Sequence, residues 1–320
     1  MFSRLGPAAG PAPSHALGGR WVGAADAALH APLLAPAGAW LDAWSGSPAV
    51  QTHQHGCVRY ATDGHWLYGC ATVDEHALGM QAATQQAYAD LFAVLAASPC
   101  HHLLRLWNYF AGINIESGGS ERYRQFNAGR QQAFIEAQRS AFDGSPAACA
   151  LGMQGGTLQV SFLAGTRPPL AIENPRQVSA YRYPDTYGPR APTFSRAAVA
   201  DAGDGRGLLF ISGTASIVGH VSMHVGDVRR QTEESLANIA AVRGAAEARS
   251  GHTFPPSQMH YTLYLRQPAD MAVVREVFER AVGPDSPAAR GALYLHADVC
   301  RADLLVEIEA HGYSAARSLG

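Results

Sequence analysis

Beyond residue 65 the hydrophobic pattern of the chain alternates between two periods. WLYGCATV, from Trp66 to Val73, is a short apolar run bounded by polar residues and predicts a strand. QAATQQAYADLFAVLAAS then places Tyr88, Leu91, Phe92 and Leu95 on one face at helical spacing. HHLLRLWNYFAGI returns to strand. SERYRQFNAGRQQAFIEAQR predicts a helix with Ser120 as its N-cap and Phe126, Arg130 and Phe134 on one side, and LQVSFLAG closes as a further strand. The same succession follows again. GLLFISGTASIVG predicts a strand running into a Gly/Ser/Thr turn, and QTEESLANIAAVRGAAEARSG a helix with Leu236, Ile239 and Ala240 as its apolar stripe and Gly251 as its stop. QMHYTLYLRQPAD is a strand, MAVVREVFERAVG a short helix, and GALYLHADVCRADLLVEIEAHG supplies two last strands. Two halves with one order of elements point to an internal duplication. The fold class that follows is α/β (α+β), each half a mixed β-sheet backed by helices.

Residues 1–48 are rich in Ala, Pro and Gly with weak periodicity and predict an irregular lead-in, with order starting near Cys57. Residues 49–166 form the first α/β domain and 208–320 the second. Between them, residues 167–207 carry Pro168, Pro169, Pro175, Pro184, Pro189 and Pro192, which exclude a long helix or a central strand. A connection of that length is usually functional.

Composition narrows the chemistry. There is no lysine among the 320 residues, so all 24 basic side chains counted as Lys+Arg are arginine. Schiff-base, pyridoxal-phosphate and P-loop lysine mechanisms are thereby excluded, and acid/base work falls to Glu, Asp, His, Tyr or Cys. A formal net charge of −2 without a basic run argues against nucleic acid as a partner. The five cysteines, Cys57, Cys70, Cys100, Cys149 and Cys300, show neither zinc spacing nor a disulfide framework, and the 14 histidines form no HExxH pair. No bound metal is expected. MFSRLGPAAGPAPSHALGG lacks the apolar core of a signal peptide, and no stretch approaches the roughly 20 apolar residues of a membrane span. The expectation is a soluble cytoplasmic protein.

Three groups carry candidate chemistry. The connecting segment packs Arg176, Arg182, Arg190 and Arg196 among Tyr181, Tyr183 and Tyr187, which suits a ring-shaped dianion; a solvated surface loop is the alternative. ERYRQFNAGR sets Arg122 and Arg130 close to one helix face with Arg124 pointing elsewhere, or else is an exposed charged face. In LLVEIEA, Val306 and Ile308 share one side of a strand while Glu307 and Glu309 share the other. A carboxyl in so apolar a run is either partly buried and held protonated as a general acid, or on a polar face that meets water.

The second half resembles the reactive-intermediate deaminase (Rid/YjgF-like) family through FISGTASIVG, GDVRRQTEESLANIAAV and LLVEIEA. From about Trp66 the whole chain is identified as a member of the chorismatases, which embed that fold, through RLWNYFAGIN, ERYRQFNAGR, ENPRQVSAYRYPDTYGPR, ISGTASIVGH and CRADLLVEIEAHG. The resemblance implies chorismate as substrate and no cofactor. It implies Glu307 as the acid that protonates the enolpyruvyl methylene, and Arg122, Arg130, Arg182, Tyr183, Tyr187, Tyr109, Thr214 and Ala215 as substrate contacts. Gly213 and Cys300 match the branch in which the neighbouring ring hydroxyl displaces pyruvate and 3-hydroxybenzoate forms; the hydrolytic branch, which leaves a dihydroxycyclohexadiene carboxylate, tends to carry alanine at both. A third branch also yields 4-hydroxybenzoate. A Rid-like binding or imine-hydrolysing protein is the competing class, set apart by lacking a first half. Rid-like domains trimerise, whereas a duplicated chain can bury that interface within itself, so monomer and trimer both stay open.

Overall fold

A computed structural model describes residues 2–7, 15–23, 29, 31–47, 49–203 and 205–315. The two stretches of alternating pattern build two sheets of one design. The first runs in the spatial order Ala147–Met153, His102–Ala111, Leu158–Gly165, Trp66–Val73, Val58–Thr62, Gln51–His55. The second runs Leu293–His296, His260–Leu265, Val306–Tyr313, Gly207–Ala215, Ala197–Asp201, Leu170–Ile172, with Leu33–Ala35 added outside Leu293–His296. Within each sheet the first-named pair is parallel. A parallel pair needs a crossover, and the helices Arg122–Glu136 and Met271–Val282 lie on those two connections. The duplication inferred from pattern is therefore one of topology, strand for strand.

Each sheet has a dry outer face under helices. Tyr88, Leu91, Phe92, Leu95, Phe126 and Phe134 bury against the first sheet, and Ile239, Val242, Val274 and Phe278 against the second. The inner faces pack on each other, through Trp107, Tyr109, Cys149 and Leu163 on one side and Leu208, Phe210, Tyr264 and Leu295 on the other.

The lead-in is not irregular. Phe2–Pro7, Trp40–Ser45 and Ala16–Val22 form a three-stranded antiparallel sheet, and Leu17, Val22 and Trp44 are buried in the core between the two large sheets. The Trp44 ring lies 5.5 Å from Phe210 and 4.9 Å from His311. These strands escape periodicity because they are short, Gly-interrupted, and apolar only toward a cleft that the rest of the chain creates. Residues 1, 8–14, 24–28, 30 and 48 lie outside the described residues.

Other expectations shift locally. Ser120 pairs with Ser117 and the N-cap position falls on Glu121, without a side-chain cap. The connecting segment contributes two short strands, Leu170–Ile172 and Ala197–Asp201, on either side of two 3-10 turns, and against the expectation Ala197–Asp201 is an interior strand, paired on both sides, because it starts beyond the last proline, Pro192. In the helix Val228–Ser250, Gly251 does end the run in the left-handed region, but Ala240 is exposed, and Gln231, Ser235 and Asn238 are buried beside Ile239. Gln231 and Asn238 tie the loops of the sheet, while the Ser235 hydroxyl donates to the Gln231 carbonyl of its own helix.

Candidate active site

The strand Val306–Tyr313 turns Val306, Ile308 and Ala310 toward the helices and Glu307, Glu309 and His311 toward the inner face. Both glutamates are buried, at 4% exposure each. The alternative of a polar strand face meeting water is thus excluded, because that face is covered by the other half of the chain.

One side of the site is set by a bulge. Ile211 pairs with Ala310 and Thr214 with Ile308, so the strand Gly207–Ala215 carries one residue too many at Ser212 and Gly213. The expected turn is therefore a kinked strand. The Ser212 hydroxyl donates to the Ser195 carbonyl and accepts from the Ala148 N–H, which fixes the kink to the neighbouring half. A Cβ on Gly213 would meet the Glu307 carboxyl carbon at 2.8 Å and Cys149 Cβ at 3.0 Å, with a carboxyl oxygen nearer still. Glycine leaves the space that the acid occupies.

On the other side, the loop that leads into the Glu307 strand is held by Arg266. Its guanidinium donates to the carbonyls of Val299, Arg301 and Leu304 and pairs with Asp298 at 2.6 Å. Gln231 accepts from the Leu305 N–H and donates to the Asp303 carbonyl, while Asn238 donates to the carbonyls of Ala215 and Ile217. Buried polar groups on one helix thus fix both edges of the site.

Between them opens a cleft of about 340 Å³, within the size range of small-molecule sites. Glu307, Gly213, Ala215 and Cys300 line it on one side; Tyr123, Arg124, Tyr183, Tyr187, Arg196 and Arg301 line the rest. The Arg301 guanidinium lies 3.9 Å from the Tyr187 ring centre and donates to the His220 carbonyl, and its Nη2 is buried without a partner among the described residues. Arg196 donates to the Tyr183 hydroxyl at 2.7 Å, and its Nε is likewise unpartnered among the described residues, while Arg124 pairs its Nε with Glu121 at 3.6 Å on the same cleft. Two cationic groups with spare donors, and Arg124 as a third cation, line one cavity, an arrangement suited to an anionic ligand.

Burial, and then the charge of Glu309, push the Glu307 carboxyl up to about 8, against a downward pull from Arg105 and Arg196. Burial would also raise Glu309, but Arg20 and Arg105 outweigh it and hold that carboxyl at about 2. Two glutamates on one strand face are thereby driven apart, one a proton donor at neutral pH and the other a permanent anion. Burial and the nearby Glu307 push the Cys300 thiol up to about 12, so it is neutral and a poor nucleophile. No group of three or more His, Cys, Asp or Glu side chains arranged to hold a metal occurs among the described residues.

The structure brings Glu307, Gly213, Ala215, Cys300, Tyr183 and Tyr187 to the cleft, and places Arg130 in a small recess continuous with its floor. Four other candidates lie elsewhere. Arg122 points away, to Glu75 and the Ala111 carbonyl; Arg182 is exposed and stacks on Tyr181; Tyr109 bonds Arg20 and Tyr264 in the inner core; the Thr214 hydroxyl donates to the Ser212 carbonyl. Arg124, expected to point elsewhere, lines the cleft instead. Helical spacing orders positions around an axis but does not say which arc meets the other half. Tyr123 and Arg301 were not legible as site residues, although Arg301 directly follows Cys300 in a quoted motif.

Residues 42–164 match the family model described as chorismatase FkbO/Hyg5-like, N-terminal. A 3-hydroxybenzoate synthase of Streptomyces hygroscopicus is 37% identical over 292 residues, which cover 88% of this chain and 84% of that protein. A chorismatase of Streptomyces rapamycinicus is 37% identical over 279 residues, with 84% and 80% covered. A crystal structure of a chorismatase is similar with a TM-score of 0.85 at 31% identity over 97% of both chains.

Proposed function

The chain belongs to the chorismatase family, and from that premise we propose that it converts chorismate to 3-hydroxybenzoate and pyruvate in the cleft beside Glu307. The observation that carries the reading is a buried carboxylic acid, protonated to about pH 8, opening on a cavity lined by three arginines, of which Arg196 and Arg301 have spare donors. Chorismate has two carboxylates and an enol ether, and needs cationic forks for the first and a proton for the second.

Glu307 gives its proton to the enolpyruvyl methylene carbon, which makes the ether carbon an oxocarbenium ion and the ether oxygen a good leaving group. The hydroxyl on the adjacent ring carbon attacks the carbon that bears the ether. The ring carbon–oxygen bond breaks, pyruvate departs, and the hydroxyl proton is released. The strained oxide opens, a ring proton leaves, and the ring becomes aromatic as 3-hydroxybenzoate. The atoms of the two products sum to chorismate without water: of the two released protons one restores the Glu307 carboxyl and the other ends on the oxygen of the opened oxide as the phenol. Arg124, Arg196 and Arg301 hold the carboxylates, with Tyr183 and Tyr187 bracing the last two. Arg130 lines a recess of about 30 Å³ that shares Glu307, Gly213 and Cys300 with the cleft.

Gly213 and Cys300 support the hydroxybenzoate branch over the hydrolytic one. Without a side chain at 213 the carboxyl sits directly on the strand, and the neutral Cys300 thiol supplies an apolar neighbour in place of a water site. No helix among the described residues is long and apolar enough to cross a membrane, and five free cysteines favour the cytoplasm. Inner sheet faces that cover each other within one chain favour a monomer.

Incubation with chorismate, with pyruvate assayed enzymatically and aromatic products separated by chromatography, tests the reading. Equimolar pyruvate and 3-hydroxybenzoate are expected, and Glu307→Gln should abolish both while calorimetry still registers chorismate binding. Persistent turnover in that variant removes the acid role, and a diene diol or 4-hydroxybenzoate as main product moves the chain to another branch.

A further inference from the structure

Behind the cleft lies a buried charge cluster that the reaction as written does not use. The Glu309 carboxylate is gripped at both oxygens: Oε1 accepts from Arg20 at 2.8 Å and from the Tyr264 hydroxyl at 3.0 Å, and Oε2 pairs with Arg105. Arg20 comes from the small N-terminal sheet and is itself fixed by Asp42 of the same sheet and by the Tyr109 hydroxyl. All six side chains are buried, at 7% exposure or less. Burying charges in this way costs stability unless every partner is in place, so a cluster assembled from three sheets calls for a function.

We propose that Glu309, clamped between Arg20 and Arg105, is a positioning residue for the reaction, a fixed anion behind Glu307 that keeps the acid loaded with its proton until substrate takes it. The proposal rests on Glu307 as the proton donor. Its geometric basis is the strand itself: Glu307 and Glu309 are two residues apart on one face, separated by about 7 Å of rise. Among the described residues no side-chain hydrogen bond holds the Glu307 proton; burial and the Glu309 charge raise its proton affinity. The clamp keeps Glu309 from relieving the repulsion by taking the proton itself.

The groups around Glu307 come from several elements, and Glu121, Arg124, Arg301 and Asp303 line the same cleft. Those around the acid are Tyr264 on His260–Leu265, Arg105 on His102–Ala111, Cys149 on Ala147–Met153, Tyr123 and Arg130 on Arg122–Glu136, Arg196 before Ala197–Asp201, and Cys300 on the loop before the strand. Tyr123, Cys149, Tyr264 and Cys300 are raised by burial and stay neutral, and Glu309 is the carboxylate whose charge raises Glu307. At an effective dielectric of about 20, a unit charge at about 7 Å moves a titration by between about 1 and 2 pH units.

The test is the pH dependence of kcat and KM for the full-length protein and three variants. Glu309→Gln removes the anion and leaves the arginines, so the alkaline limb of kcat should move down by between about 1 and 2 pH units. That is a loss of about five- to fiftyfold at pH 8 with little change at pH 5.5 and an unchanged KM. Glu309→Asp keeps the charge and should keep the limb. Arg105→Met leaves Glu309 ionised by Arg20 while removing a cation that pulls on Glu307, so its limb should move up. A merely structural cluster lowers kcat at every pH in all variants without opposed shifts, and that outcome overturns the proposal. If Glu309→Gln does not fold, the direction of the Arg105→Met shift decides. Infrared titration of the Glu307 carboxyl, as the difference between wild type and Glu307→Gln, reads the same shifts without substrate. Opposed infrared shifts without chorismate turnover leave the clamp standing and refute the assigned reaction; turnover with an unmoved limb refutes the clamp.

Discussion

Replacing Gly213 by alanine adds one methyl group at the point where the fold leaves least room. The backbone there does not require glycine for its torsion angles, since Gly213 is absent from the positive-φ residues, so the perturbation is steric alone. The new Cβ would stand 2.8 Å from the Glu307 carboxyl carbon, where ordinary contact begins at 3.4 Å, and a carboxyl oxygen is closer still. Cys149 Cβ, at 3.0 Å, blocks relief on the other side. The carboxyl must therefore retreat by on the order of 1 Å, and a misplacement of that size at a reacting group costs about 100-fold in rate. That corresponds to about 2.7 kcal/mol of activation free energy. Overpacking adds a stability loss of about 1–3 kcal/mol, which thermal unfolding by circular dichroism separates from the kinetic effect. The assay is initial pyruvate release under saturating chorismate at pH 6.5, where Glu307 is protonated, together with a KM measurement. A kcat within threefold of wild type in a folded Gly213→Ala protein would refute the argument that glycine exists here to seat the acid.

Three further outcomes follow from the same geometry. Gly213→Ala combined with Cys300→Ala should turn part of the product from 3-hydroxybenzoate to the diene diol, seen by chromatography; 3-hydroxybenzoate as sole product refutes the steering role. Because the folded-state value of Glu307 is raised from 4.5 to about 8, its contribution to stability is intact below about pH 4.5 and is lost as pH rises through 8, so Glu307→Gln should be relatively more stable at pH 9 than at pH 5 by thermal unfolding. Arg301→Lys keeps the charge and loses the fork stacked on Tyr187, so KM for chorismate should rise about tenfold with kcat little changed; an unchanged KM removes Arg301 from carboxylate binding.

The reading of the chain from pattern went furthest where a segment is long and its partner is near. Trp66–Val73 and Leu158–Gly165 have the bounds that their apolar runs mark, and the repeated order of elements anticipated the repeated sheet. It fell short at Ala147–Met153, a buried strand of small residues whose composition, AACALGM, has no period to read. It fell short again at Arg20, whose role depends on Glu309 nearly the whole chain away. Among the arginines, Arg122 and Arg124 are two residues apart and exchange their expected places. Which side of a helix meets a cleft depends on how that helix is laid across a sheet, and spacing along the helix carries no record of it.

The duplicated halves show the division most plainly. The strand Leu158–Gly165 holds in the first sheet the place of Val306–Tyr313 in the second, and its second and fourth residues are Gln159 and Ser161 where the other has Glu307 and Glu309. Sequence alone determined that difference, along with the absence of lysine, the alternation that puts both glutamates on one face, and the motifs that mark the family. What those glutamates are worth was decided by tertiary structure. A carboxyl's proton affinity depends on the water and charge around it. Only the closing of one half on the other, with Arg20 brought in from the N-terminal sheet, removes the water from both and gives the cations to Glu309.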